Sequence, residues 1–341
     1  MSGINLGIYF DLRNPGGRFD PARLYGFTME CCEEAERLGA HSIWVTEHHL
    51  FDDGYLTQPL TMAAAIAART SRVRVGTAVM LAPLHPAVSI AEQAAVVDLI
   101  SAGRLDLGLG AGYRVPEFEL HEADLSRRYG TTDGRVRELR RIWGEGRVTP
   151  APVQNPVPIW MGYAGPQGAR RAGLLGEGLL STAPELWEPY RAGLVAGGHD
   201  PANGRMAGGF QGWVTDDPER DWPVVSTHAA YQLDSYRRHM VEGTDQPIPR
   251  PVDMDRLRRA QPGWALGSFS FDTPIEVATS LRGLRAAAPV ETVFFWASIG
   301  GMGEEMTMRN IHLLCTELAP LLAEPIQPIP PIPPIPPIRP T

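Results

Sequence analysis

The sequence predicts an α/β protein, a TIM (β/α)8 barrel with an insertion after the seventh strand. Two observations carry that reading. Eight short apolar runs alternate with longer amphipathic ones between residues 4 and 322, the order of parallel strands covered by crossover helices. The first strand runs into Asp11-Leu12-Arg13-Asn14-Pro15-Gly16-Gly17, which is not the phosphate-binding glycine turn that opens a doubly wound sheet. The open sheet is therefore the second choice. A barrel takes about 250 residues plus insertions, and the chain has 341.

The strands fall at 4–10, 42–45, 73–81, 105–109, 158–162, 178–181, 206–214 and 290–297. Helical periodicity fills the intervals at 20–38 (stopped by Gly39), 57–69, 88–101, 133–143, 165–175, 186–196, 274–287 and 304–322. Residues 216–270 carry Pro218, Pro223, Pro247, Pro249, Pro251 and Pro262. They read as an irregular insertion with a helical stretch at 229–241. Long loops at that face of a barrel are usually lids or substrate walls. From Pro325 to Pro340 the chain repeats Pro-Pro-Ile with period three, the pattern of polyproline II. The organisation is thus a barrel domain over 1–323 and a proline-rich tail over 324–341. The tail is read as an appendix without a catalytic part; the other reading is a ligand for an aromatic groove.

Composition excludes several functions. The formal net charge is -8, against clustered positive charge for a nucleic acid. No apolar run reaches the roughly 18 to 20 residues of a membrane span, and the start lacks a basic segment followed by an apolar one. The cytoplasm is the expected location. All 31 basic residues are arginine, so no lysine Schiff base and no P-loop lysine is available. A bound phosphate must rest on arginine, hydroxyls or backbone N–H groups. Cys31, Cys32 and Cys315 lack metal-site spacing and read as buried small hydrophobes.

Chemistry-bearing residues gather at predicted strand ends, the active-site face of a barrel. The second strand ends in Thr46-Glu47-His48-His49. Neighbouring strand residues face opposite ways, so His48 and His49 would not share one metal ion, and no metal is predicted. One histidine as general acid or base, with its neighbours orienting it, is the alternative. The third strand ends in Thr77-Ala78-Val79, and the fourth in Gly108-Leu109-Gly110-Ala111-Gly112-Tyr113. Small residues there admit a flat ligand close to the backbone; a tight turn is the plainer reading. Pro116 follows in place of a clean helix start. After the fifth strand, Gly162-Tyr163-Ala164-Gly165-Pro166-Gln167-Gly168 opens a helix, a ready phosphate site even without lysine.

Taken together, these pieces resemble the bacterial-luciferase-like flavin-dependent monooxygenases. The ordered set is Trp44–His49, Gly76-Thr77-Ala78, His85-Pro86, Ala91-Glu92-Gln93, Ser101–Leu105, the glycines at 108, 110 and 112, the helix entrance at 162–168, and Thr273-Pro274-Ile275-Glu276. The resemblance covers roughly residues 4 to 323. It implies a TIM barrel with FMN in its mouth, and a non-proline cis peptide at Ala78–Val79 beneath the ring. His48 would stand beside the reactive edge, with Glu47 ordering the pocket. Arg128 would reach the FMN phosphate, joined by the N–H groups of Ala164, Gly165 and Gly168. Thr77, Val79, Gly110, Gly112, Gly162 and Tyr163 would complete the cofactor site. Phe51, Tyr113, Trp213 and Trp296 would line the substrate pocket; core packing is the other reading of these aromatics.

The resemblance further implies reduced FMN supplied by a separate reductase, and O2 and a small organic substrate as the other reactants. Oxygen would be transferred through a C4a-hydroperoxyflavin. A homodimer is compatible with the family. Two departures are visible. Ala111 stands where luciferase has a second phosphate-contacting arginine, and Ala164 and Gln167 replace the hydroxyls of its phosphate loop, which brings in Arg170 or Arg171. The alternatives are a hydride-transferring enzyme of the same fold using the deazaflavin F420, a flavin-binding protein without turnover, and a metal-dependent barrel hydrolase.

Overall fold

The computed structural model describes residues 3–259 and 269–323. The proline-rich tail lies outside them, as do residues 260–268 of the insertion.

Eight parallel strand positions close into a barrel. They are β1 (Asn5–Phe10), β2 (Ser42–Val45), β3 (Arg74–Thr77) continued by β4 (Met80–Leu81), β5 (Leu105–Gly110), β6 (Ile159–Gly162), β7 (Gly178–Leu180), β8 (Met206–Gly209) and, after two strands outside the barrel, β11 (Val290–Trp296). β1 pairs with β2 and β11, and both β3 and β4 pair with β5, which closes the ring. The helices form the outer layer, as in α1 (Pro21–Arg37), α2 (Pro59–Arg69), α3 (Ala87–Ile100), α5 (Arg128–Gly144), α6 (Gly165–Leu175) and α7 (Trp187–Ala196). The strands are largely apolar because helices cover one face and the barrel interior the other.

The interior is aromatic. Trp44, Trp160, Tyr9 and Phe294 pack together, with Trp44 stacked on Phe294 at 5.1 Å and edge-on to Trp160 at 6.4 Å. Glycines opposite the indoles make this possible: a Cβ at Gly76 would collide with Trp44, and one at Gly178 with Trp160. The ion pairs Arg74–Asp106 and Arg205–Glu291, each at 2.6 Å, sit at the N-terminal end of the strands, the face that serves stability in such barrels.

Four expectations are corrected. The strand expected at 73–81 is interrupted by a cis Ala78–Val79 peptide. The strand expected at 206–214 ends in the barrel at Gly209; β9 (Gly212–Val214) leaves to pair with β10 (Ser270–Asp272). Pro116 does not block a helix, because α4 (Val115–Leu120) holds it in the first turn, where no N–H is required. The insertion is not irregular at its start. α8 (Pro218–Val241) begins at the Asp217 cap, which accepts the Arg220 N–H, and carries Pro223 inside it. Proline periodicity hid this helix from a sequence reading. A second small core of Trp213, Val225, Ala229, Met254 and Met302 fastens it to the barrel.

Candidate active site

β2 delivers the chemistry to the mouth. Its register puts Val45 between Phe10 and Thr77, so the residues that follow emerge beside the ends of β1 and β3. Side chains then alternate. Glu47 and His49 turn one way and meet, with His49 Nε2 2.8 Å from Glu47 Oε1. His48 turns the other way. Its Nδ1 stands 2.8 Å from Glu117 Oε1, and that oxygen also accepts the His49 backbone N–H at 2.9 Å.

Glu117 belongs to the short helix α4 and was not anticipated from the sequence. It is buried, and burial alone would raise its pKa. The hydrogen bond to His48, the charge of a protonated His48, the His49 N–H and nearby Arg114 outweigh this and hold it low. An ionised Glu117 makes His48 Nδ1 the N–H donor and leaves Nε2 free to exchange a proton. Glu47, expected beside His48 as an ordering group, faces away from it. Its Oε1 holds His49 and His85 at 2.8 and 2.7 Å, and its Oε2 accepts the Leu81 N–H at 2.6 Å. Burial opposes ionisation there too, but these partners win and lower its pKa to about 2. Glu47 therefore orders two loops of the rim, not the His48 ring.

Aromatic rings enclose His48: Tyr55 at 4.8 Å, Phe51 at 4.9 Å, Tyr113 at 5.5 Å and Tyr236 at 6.2 Å. Two of these, Phe51 and Tyr113, were expected. Tyr55 and Tyr236 are joined hydroxyl to hydroxyl at 2.7 Å, which brings α8 over the mouth. Burial pushes the Tyr113, Tyr55 and Tyr236 phenols up, so they remain neutral donors. Trp296 lies 4.3 Å from Tyr9, whose hydroxyl donates to the Ala78 carbonyl at 2.9 Å. Trp213 is different: it is buried in the second core, fastening the insertion.

The glycines at the rim do something other than what their spacing suggested. A Cβ at Gly110 or at Gly162 would collide with the Val79 side chain, and one at Gly112 would come within 2.9 Å of Phe118. Gly110 and Gly162 thus clear room for Val79, which stands between β5 and β6, and Gly112 clears room for Phe118. Thr77 fixes the base of this step. Its hydroxyl donates to the Gly108 carbonyl at 2.7 Å and accepts the Gly108 N–H at 2.9 Å.

The glycine-rich turn expected to hold a phosphate opens α6. The helix starts at Ala164 without a side-chain cap, and Gly165 has φ +70°, so first-turn N–H groups face outward without internal acceptors. Gly168 packs on Tyr163, whose hydroxyl donates to Asp133 at 2.7 Å. Arg171 pairs with Asp133 at 2.7 Å. The guanidinium carbons of Arg128 and Arg171 lie 4.6 and 5.9 Å from the Tyr129 ring, and the Nε of each is buried without a partner. Two cationic groups with unmet donors beside an uncapped helix start fit a phosphate monoester. Ala111 is buried. Arg170 is exposed.

The arrangement defines a class: a barrel whose mouth combines a carboxylate-held imidazole and an aromatic wall, with an uncapped, glycine-rich helix start following another strand. Residues 4–269 match the family model of luciferase-like monooxygenases, and the chain belongs to that family. The F420-dependent glucose-6-phosphate dehydrogenase of Kineococcus radiotolerans is 27% identical over 313 residues, 81% of this chain and 88% of that protein. The oxygenase component of the flavin-dependent trigonelline monooxygenase of Acinetobacter baylyi is 32% identical over 162 residues, 42% of this chain and 44% of that one. In fold, a monooxygenase from Streptomyces bottropensis superposes with a TM-score of 0.76 at 23% identity, covering 93% of this chain and 99% of that one. The relatives are thus oxidoreductases that use a flavin or F420.

Proposed function

We propose that this chain is the oxygenase component of a two-component monooxygenase, which takes reduced FMN from a separate reductase and places one oxygen atom of O2 on a small organic substrate. The observation that carries the reading is His48, held by Glu117 at the mouth and enclosed by four aromatic rings. The flavin, when bound, supplies the activation of oxygen. The protein's own groups do the rest. Arg128, Arg171 and the N–H groups of Ala164, Gly165 and Gly168 hold the phosphate end; Val79 supports the ring. The aromatic wall excludes water and packs the substrate. His48 moves a proton at Nε2, while Glu117 fixes the ring and steadies its charged form. The match to a reductase-served oxygenase component supports the separate reductase.

A second reading keeps the fold and the His48–Glu117 pair but transfers a hydride to or from F420. The long match to an F420-dependent dehydrogenase favours it. The triplet Glu47-His48-His49 favours FMN. One test separates them. The protein is mixed anaerobically with each reduced cofactor, and air is then admitted. The FMN reading expects oxygenated product with reduced FMN and none with reduced F420. Substrate oxidation by oxidised F420 without oxygen would overturn it.

A further inference from the structure

We infer that Glu47, His49 and His85 form a binding site for a zinc-like divalent cation, separate from the His48 proton site and linked to it through one residue. The three donors come from different parts of the rim. Glu47 and His49 follow β2, and His85 follows the turn after β4. Glu47 Oε1, His49 Nε2 and His85 Nε2 all lie within 4.8 Å of one another, with Glu47 and His49 buried and His85 nearly so.

Two imidazoles and one carboxylate are a donor set of the borderline hardness that zinc prefers. Bonds of about 2.0 to 2.2 Å would separate tetrahedral donors by roughly 3.3 Å, so the present 2.8 and 2.7 Å between Glu47 Oε1 and the two rings need to open only slightly. Each ring would carry its proton on Nδ1 and offer Nε2 to the cation. The surrounding bonds already hold the ligands in place. The Leu81 N–H fixes the other oxygen of Glu47 at 2.6 Å, while Glu117 accepts the His49 N–H and Arg114 donates to the His49 carbonyl. Such outer contacts orient metal ligands. His121 packs on both rings, at 4.5 Å from His49 and 5.9 Å from His85.

The coupling is short. Glu117 Oε1 touches both the His49 backbone and His48 Nδ1, so a cation that tightens His49 acts on the His48 partner.

The test uses the full chain stripped by a chelator and titrated with zinc ion alone, against a competing fluorescent indicator. One zinc per chain is expected. His85→Ala and His49→Ala should each weaken it by about 100-fold or more, and Glu47→Gln should weaken it while keeping a hydrogen-bonding side chain in place. Circular dichroism identifies any variant that fails to fold, and Glu47→Gln then carries the comparison. Cobalt substitution should give the visible bands of a four-coordinate site in the wild type and lose them in His85→Ala. The absence of stoichiometric zinc binding in the wild type would overturn the inference. So would wild-type affinity in the folded variants.

Discussion

In the proposed reading His48 is the acid or base, and its working atom can be named: Nδ1 is tied to Glu117, which leaves Nε2 free. We expect His48→Ala to retain flavin binding and to lose substrate oxidation by about 10² or more, the range of a positioned acid or base; steady-state rates and a flavin titration read the two separately. Glu117→Gln should lose about tenfold or more in turnover and move the pH profile, because a neutral amide steadies the charged imidazole less than a carboxylate does. The sequence showed His48 by its place at a strand end. Glu117 was hidden, since it lies 69 residues away in a helix that Pro116 seemed to forbid. Asp11 gives a stability test at the same scale. Burial opposes its ionisation more than Arg13 favours it, and its pKa rises from 3.8 to about 6. The folded state holds this proton more tightly, so the contribution is full below pH 3.8 and lost as pH rises through about 6, a change of about 3 kcal/mol. Urea unfolding at pH 4.5 and pH 7.5 should show wild type losing stability relative to Asp11→Asn as pH rises; a constant difference would contradict it.

At the scale of elements, the rim glycines and Val79 form one unit. Val79 is β-branched and stiff, so it yields little to an added methyl. Gly162→Ala should therefore cost about 1 to 3 kcal/mol and weaken cofactor binding, and adding Val79→Ala should recover part of both, since the two substitutions share one contact. Thermal unfolding of the single and double variants measures the coupling; strict additivity would contradict the account. A Gly-x-Gly-x-Gly pattern signals lost side chains but not what fills the space. That the occupant is Val79 depends on how the ends of β4, β5 and β6 come together in the closed ring. The same limit applies to 206–214, where an apolar run long enough for one strand serves two sheets. The uncapped start of α6 was legible, because Gly162–Gly168 follows directly on a strand. The placing of Arg128 and Arg171 over Tyr129 was not, because 43 residues and a strand separate them.

For the molecule as a whole, strand–helix alternation was enough to predict the barrel, since eight apolar runs separated by helices have few ways to bury both faces. The insertion was legible as an insertion but not in form. α8 reaches the mouth because Tyr231 donates to Asp53 at 2.9 Å, Tyr236 meets Tyr55, and Arg13 bridges Asp53 and Ser235. The molecule therefore reads as a closed ring with α8 held across its mouth. The most direct measurement is an anaerobic titration of reduced FMN into wild type and Arg128→Ala, followed by absorbance. The account predicts one saturable site per chain in the wild type and binding weakened by about tenfold or more in Arg128→Ala, in keeping with the loss of a charge-assisted phosphate contact. Equal binding by both proteins, or no saturable binding by the wild type, would contradict it.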